Sequence, residues 1–532
     1  MLRPLLALLL TVVLLPAVGA PLLIPPLAAQ EVPDGALRSL LAEDGGLRLA
    51  GRALDRAALA KVYEARDYRP IWVDAPEREA ALVKALEGAA AHGLDPAAFA
   101  VPETGPEERD LLLTDAFLRY ATALAQGRVR SAAIESDWAL PVPDFDVGAA
   151  LDRAASGDPG TVLAGLAPAE PAYKGLQAAL IRYRAIVAGG GWPRVPEAGK
   201  LVRGDSGVAV ATLRRRLVAE GFLAADGGGK EFDAELEAAL KRFQADHGIA
   251  ADGRAGHDTY EALNVPATVR LEQIRDNLER WREMPRDWPP TRIEVNIPAA
   301  WLTVVEHGVP GLSMRAIVGA GEHPTPVLRA HMNAVLFNPP WNVPASIVRK
   351  EILPHARRDP HYLDRNHYVY IGVRGRSPMQ QLPGPDNALG RIKFELPNIY
   401  DVYLHDTPTH PLFSRVIRTL SHGCVRLEDP RDLALYVLAG GKTSWSLDDI
   451  DGAIAQGDTR RVPLAHSVPV YLLYWTAFVD PDGAVEFRDD VYGRDLRLAA
   501  AMDARDTDER LPPAAALPPA APGPLATKSL AN

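Results

Sequence analysis

The spacing of apolar residues along the chain changes twice, and the changes divide it. Over residues 30–197 apolar positions recur at helical intervals. Leu111, Leu112, Phe117, Leu118 and Leu124 contribute to one face, and Leu176, Leu180, Tyr183 and Val187 follow the i, i+4, i+7 pattern of another. Glycines and prolines between 189 and 197 read as a linker. Residues 198–267 predict three short helices. The first carries Val210, Leu213 and Leu217 after an N-cap in Gly204-Asp205-Ser206-Gly207. The second carries Leu236, Leu240 and Phe243 after the cap Asp233, and the third starts at Tyr260 and Leu263. Residues 268–290 read as a charged helix that connects two domains, with Leu271, Ile274, Leu278 and Trp281 as its apolar positions.

From Thr291 the period becomes two: Ile293, Val295 and Ile297 alternate with Glu294 and Asn296. A hairpin of residues 301–305 and 312–318 should turn at His307-Gly308, with further strands at 334–337, 368–373, 401–405 and 470–478. The last turns through Asp480-Pro481-Asp482-Gly483 into 485–487. One helix is expected at residues 430–438. Residues 341–400 hold too many charges and prolines for a plain strand connection, yet carry Ile347, Ile352, Leu353, Tyr362 and Leu363, so they should fold as a small inserted subdomain. The predominantly β domain spans 291–497, and the Pro/Ala-rich residues 498–532 read as a disordered tail. The fold class is multi-domain α+β.

Composition changes this picture at three points. Apolar residues make up 47% and charged residues 24% of the 532, which is ordinary for globular domains. The net charge of −10 offers no basic footprint, so nucleic acid is excluded as a partner. Residues 1–29 read as a signal peptide: Arg3, then an apolar run over 5–15 broken only by Thr11, then Leu27-Ala28-Ala29 before Gln30. The protein is expected to be exported to the periplasm or cell envelope. No membrane span is expected in the mature chain unless that signal stays uncleaved as an anchor. Finally there is one cysteine, Cys424. A thiol without a partner in an oxidising compartment points to reactivity rather than packing.

The chemistry gathers around it. Tyr403-Leu404-His405-Asp406-Thr407-Pro408 is followed by Ser421-His422-Gly423-Cys424-Val425-Arg426-Leu427. A thiol attacks carbonyls as its thiolate, so it needs a base, an electropositive setting, or both. His405 can take the proton, His422 can orient or polarise the site, and Arg426 would favour the anion. The N–H groups of Gly423 and Cys424 could face a developing oxyanion, and Ser421 can bond a histidine or the backbone. Asp406 should point to the face opposite His405 and is left out. A zinc site from His405, His422 and Cys424 has three ligands but fits no common spacing. No metal and no cofactor is expected.

These two motifs resemble the L,D-transpeptidase (YkuD-type) catalytic domain, and more of the chain is similar to its large murein-acting subfamily. Phe337-Asn338-Pro339-Pro340-Trp341-Asn342-Val343-Pro344 resembles the entry to a capping subdomain. The run from Pro383 through Asn387, Gly390 and Lys393 to Phe394 resembles the return to the core. Residues 200–266, with Arg242-Phe243-Gln244, His247-Gly248 and Asp252-Gly253, resemble a three-helix peptidoglycan-binding domain. His257 departs from that pattern, where proline is frequent. The resemblance implies Cys424 as nucleophile, His405 as general base and acid and His422 as orienting histidine. It places Trp341, Asn342 and Tyr403 at the substrate and cap. It also implies peptidoglycan stem peptides and glycan as partners, carbapenem β-lactams as inhibitors, and 3→3 cross-linking with release of D-alanine. Two alternatives stand beside it: a carboxypeptidase or wall-lipoprotein hydrolase using the same thiol, and a non-catalytic peptidoglycan-binding scaffold.

Overall fold

The computed structural model describes residues 35–42, 45–225, 229–372, 379–441 and 444–506. The signal segment and the Pro/Ala-rich run beyond 506 lie outside the described residues. Among those described, no helix is long and apolar enough to cross a membrane.

The N-terminal region is helical, built around Pro106–Gln126, which starts on a proline at its first turn and stops at Gly127 (φ 80°). One polar residue organises its interior. Buried Asp110 accepts the N–H groups of Ile71, Trp72 and Val73 and the hydroxyl of Tyr63. Tyr63 and the Ile71-Trp72 backbone are thus tied to the helix by one buried carboxylate. Strands add to the helices: a hairpin of β1 (Leu47–Leu49) and β2 (Arg52–Leu54), and β3 (Trp138–Ala139), which leaves this region for the catalytic sheet.

The three-helix module is Val208–Glu220, Ala234–Asp246 and His257–Leu263. Asp233 caps the second helix through Leu236 N–H (2.8 Å), as expected. The first helix lacks a side-chain cap, because Asp205 closes its own turn on Val202 N–H (2.8 Å). The module is fixed to its neighbours. Its buried Glu220 pairs with Arg216 and accepts the hydroxyl of Tyr183 from helix Pro171–Ala188 (both 2.7 Å). Its His247 is stacked on Phe243 and Phe487.

The charged helix expected at 268–290 is Ala267–Arg282, and most of its charges are buried. Arg270, Asp276, Glu279, Arg280 and Arg282 are all buried in it. Each of the last three has a partner on another element or one turn away. Glu279 pairs with Arg282 and accepts the N–H groups of Arg128 and Val129, Arg280 meets Asp495 (2.6 Å), and Arg282 donates to His92 O (2.7 Å). Just beyond it, Glu283 accepts the N–H and hydroxyl of Ser131. These charges are joinery between domains.

The catalytic region is a closed ring. Its strands are β4 (Thr291–Asn296), β5 (Trp301–Glu306), β6 (Val309–Gly319), β7 (Val327–Phe337), β11 (Ile392–Glu395), β12 (Leu404–His405), β14 (Val425–Leu427) and β15 (Arg460–Leu473). The order is β11-β12-β14-β6-β5-β4-β15-β7, and β7 pairs back to β11, so this ring has no free edge. Between β3 and the rest, β7 also accepts β3 in parallel, Trp138 opposite Val327. Val295, Leu302, Val304, Phe337, Phe394 and Leu404 are among the residues that fill the interior. The β5–β6 hairpin turns where expected, with positive φ at both His307 and Gly308. A short β13 (Thr419–Ser421) runs beside β6.

Four strand expectations shift. Only Leu404–His405 of residues 401–405 is strand, because Asp401 adopts φ 53° and Asn398 binds the Val402 N–H and carbonyl. Strand 334–337 begins earlier, at Val327. Strand 368–373 is described as β9 (Tyr368–Tyr370). Strand 470–478 begins at Arg460 and breaks after Leu473. There Asn296 and Asn277 side chains take the N–H groups of Trp475 and Thr476 (both 3.1 Å), before β16 (Ala477–Val479) resumes and pairs with β17 (Val485–Phe487). Helix Pro430–Leu438 matches, and a second helix, Leu447–Ala455, is capped by a Ser446–Asp449 capping box.

The insertion has its own small core of Val343, Ile347, Val348, Ile352 and Met379. Its three strands are β8 (Trp341–Asn342), β9 and β10 (Met379–Gln381), and its helical turns include the π-helical Val348–Ile352. A tail beginning at 498 is corrected as well. Helix Arg494–Asp506 covers that position, and Leu498, Ala501 and Met502 are buried against Val129 and Ile134.

Candidate active site

Register across three short strands builds the site. Lys393 on β11 is opposite His405 on β12, and His405 is opposite Arg426 on β14. Their neighbours Phe394, Leu404 and Val425 pair in the same way and fill the ring interior. Because side chains alternate along a strand, Lys393, His405 and Arg426 share the outer face, and Cys424, two before Arg426, joins them.

His405 is buried, and its Nδ1 lies 2.5 Å from its neighbour's carbonyl, Asp406 O. Donation from Nδ1 leaves Nε2 as the lone-pair nitrogen, the tautomer a base requires. Burial, reinforced by Arg426 and Lys393, pushes its pKa down to about 3, so the resting ring is neutral. The Asp406 carboxylate packs against Gly390, where any Cβ would collide with it, and accepts Arg391 N–H (2.7 Å) and Thr407 N–H (2.7 Å). Its side chain is structural and its carbonyl holds the histidine.

Burial pushes the Cys424 thiol up, against lowering contributions from the Tyr403 backbone and hydroxyl, Lys393 and Arg426. Cys424 and His405 are thus both neutral at rest. Among the described residues no hydrogen bond joins them, consistent with catalytic contacts that tighten only on substrate. The Tyr403 hydroxyl also meets the Trp341 side chain, which links the thiol to the cap. Lys393 Nζ sits 3.7 Å from the Tyr403 ring centroid, and the Tyr403 ring stands edge-on to His405.

The turn that presents the thiol is braced from behind. Gly423 has φ 112°, and its carbonyl accepts Thr325 Oγ1 (2.8 Å), which in turn accepts Gly319 N–H (2.8 Å). Ser421 Oγ donates to Cys424 O (2.5 Å) and accepts Gly423 N–H (3.1 Å). The Gly423 amide is therefore engaged, which corrects the expectation that it faces an oxyanion.

His422 does not gather with His405. Its Nε2 lies 2.8 Å from Glu351 Oε1 in the π-helical turn of the insertion, and its ring stacks on His323. Among the described residues no three His, Cys, Asp or Glu side chains converge as metal ligands. Of the substrate and cap residues, Trp341 and Tyr403 come together at the thiol. Asn342 is exposed and bonds Gln380 within the insertion's own sheet (2.8 Å). The buried Arg426 Nε has no hydrogen-bond partner.

Sequence reasoning missed Lys393 and Glu351. The alternation Ile392, Lys393, Phe394 marks Lys393 as outward-facing, but its alignment with His405 depends on irregular residues 396–403. For Glu351 no sequence signal exists.

Three family models match the chain: a scaffold domain over residues 57–180, a "Putative peptidoglycan binding domain" over 206–263 and an L,D-transpeptidase catalytic domain over 290–445. A Haemophilus influenzae protein named "Putative L,D-transpeptidase" is 32% identical over 244 residues, 43% of this chain and 49% of that protein. The chain thus spans about half the length of that curated relative. An L,D-transpeptidase from Xylanimonas cellulosilytica is 17% identical, covering 52% of this chain and 99% of that one with TM-score 0.19. L,D-transpeptidase 3 from Mycobacterium tuberculosis, with a faropenem-derived adduct, is 16% identical over 35% and 60% with TM-score 0.18. Likenesses of that size carry no argument about the site.

Proposed function

We propose, from the match of residues 290–445 to the L,D-transpeptidase catalytic domain, that the protein is an exported peptidoglycan L,D-transpeptidase of the cell envelope. The observation that carries the reading is the single thiol of the chain, set on the same sheet face as a buried neutral histidine of the correct tautomer and two cations.

Cys424 gives its proton to His405 Nε2 as sulfur attacks the carbonyl between the L-centre of diaminopimelate and the terminal D-alanine of a tetrapeptide stem. Lys393 and Arg426 compensate the charge that develops on sulfur. His405 then hands the proton to the departing D-alanine nitrogen, leaving a thioester. A side-chain amine of a second stem attacks that thioester, forming a 3→3 cross-link and returning the thiol. The insertion, held by Trp341 on Tyr403 and by Glu351 on His422, acts as a lid that limits water while the thioester waits. The Cys424 N–H takes the oxyanion role. The three-helix module holds glycan, and carbapenems acylate the same sulfur.

Mass spectrometry after incubation with disaccharide-tetrapeptide is the test. Cross-linked dimers and free D-alanine are expected. Shortened monomers alone would make the protein a hydrolase, and no product or β-lactam adduct would make it a scaffold. Cys424→Ala should abolish both, and His405→Ala should cost roughly 10²- to 10⁴-fold in turnover.

A further inference from the structure

The acyl transfer just described leaves one problem unsolved. The attacking amine arrives as an ammonium ion, and it must lose a proton before its nitrogen can attack. Among the described residues the charges on the thiol's face do not invite it: Lys393 and Arg426 share that face, and Asp406 is engaged by Arg391 and Thr407. The outer surface of the insertion is also basic, with Arg349, Lys350, Arg357 and Arg358 exposed. In this cationic setting the Glu351 carboxylate, about half exposed, lies 2.8 Å from Nε2 of half-exposed His422, two residues before Cys424. Stacking of His323 on the His422 ring (5.1 Å between centroids) holds it there. The pair thus joins a solvent-reachable carboxylate and a solvent-reachable imidazole beside the turn that carries Cys424, and the first half-reaction uses neither.

We propose that Glu351 and His422 form the acceptor subsite, in which Glu351 receives the ammonium group of the incoming stem and His422 takes its proton. This rests on the L,D-transpeptidase reading. His422, open to solvent, passes that proton to water. The freed amine nitrogen attacks the thioester carbon, the C–S bond breaks, and the second amine proton travels through His405 to the Cys424 sulfur. The products are the new amide and the restored thiol. His405 thus serves the donor and His422 the acceptor.

The test measures how one acyl-enzyme divides among acceptors, so that changes in acylation cancel. Tetrapeptide is supplied as donor and as acceptor, with hydroxylamine, uncharged at neutral pH, as a competing acceptor. Glu351→Gln should lower the ratio of cross-linked dimer to hydroxamate roughly ten- to a hundredfold, the scale of a lost charge-assisted hydrogen bond. Glu351→Asp should recover part of it. If Glu351→Gln lowers dimer and hydroxamate together, Glu351 merely fastens the cap and the subsite is wrong. An unchanged ratio overturns it equally. The thioester on Cys424, read by intact mass in the same experiment, reports separately on the parent reading: its absence in the wild type would defeat both.

Discussion

The ring of strands and helix Ala267–Arg282 are both central and both buried, yet they are held by opposite means. The ring encloses aliphatic and aromatic side chains, and its backbone closes on itself. The helix runs between the domains with arginines and carboxylates inside it, and Glu279, Arg280 and Arg282 are each assigned to a particular neighbour. Apolar burial is non-directional and tolerates repacking, whereas a buried charge is stable only against its own partners. The ring therefore supplies the bulk of the catalytic domain's stability. The helix fixes how scaffold, three-helix module and catalytic domain are oriented.

Four measurements sharpen or break this contrast. The largest effect is expected at the helix: Glu279→Ala strands buried Arg282 and two backbone N–H groups, and should cost about 3–5 kcal/mol in chemical unfolding. A loss below that of a single core truncation would show that the buried charges do not orient the domains. Next comes the ring. Leu302→Ala removes a fully buried side chain and should cost about 3 kcal/mol, with domain arrangement preserved by small-angle scattering.

The third prediction concerns pH. Burial pushes Glu283 up to about 8, well above an unfolded glutamate near 4.3. Between those values the folded chain keeps a proton that the unfolded chain has released, so this group's contribution to stability falls as pH rises through the window. Glu283→Gln should flatten the decline in melting temperature between pH 5 and 8 relative to wild type. Parallel curves would refute it. The smallest effect is a control: Arg315–Glu428 is a partly exposed pair on the ring's outer surface. Arg315→Ala should cost no more than about 1 kcal/mol, and a loss matching Glu279→Ala would erase the distinction between surface and buried ion pairs.

The same contrast decides what could be read from the sequence. Period-two alternation from Thr291 and helix Pro430–Leu438 were legible because burial there follows a local rule. Two short motifs also singled out Cys424, His405 and Tyr403, which the structure brings together. Helix 267–282 was legible as a charged connection, but the burial of its charges was not, because their partners are distant in the chain. Strand β15 was hidden at its start by Pro463 and the register shift between Pro463 and Val468. Helix Arg494–Asp506 was cut short by its nearness to the Pro/Ala-rich run, although Leu498 and Met502 carry its buried stripe. Lys393 and Glu351 reach the site only through register and through the folding of the insertion.

Ring closure also sets an order in time. Strand β15 belongs between β4 and β7, yet it is made after every other strand of the ring. While the chain grows, β4 to β14 can pair, but the wall stays open along one seam, and the interior behind His405 and Cys424 remains wet. Contacts so distant in sequence form late and slowly. The face that carries the thiol is thus completed last: a chain stopped between residues 424 and 460 carries Cys424 and His405 without the closed wall that shapes them.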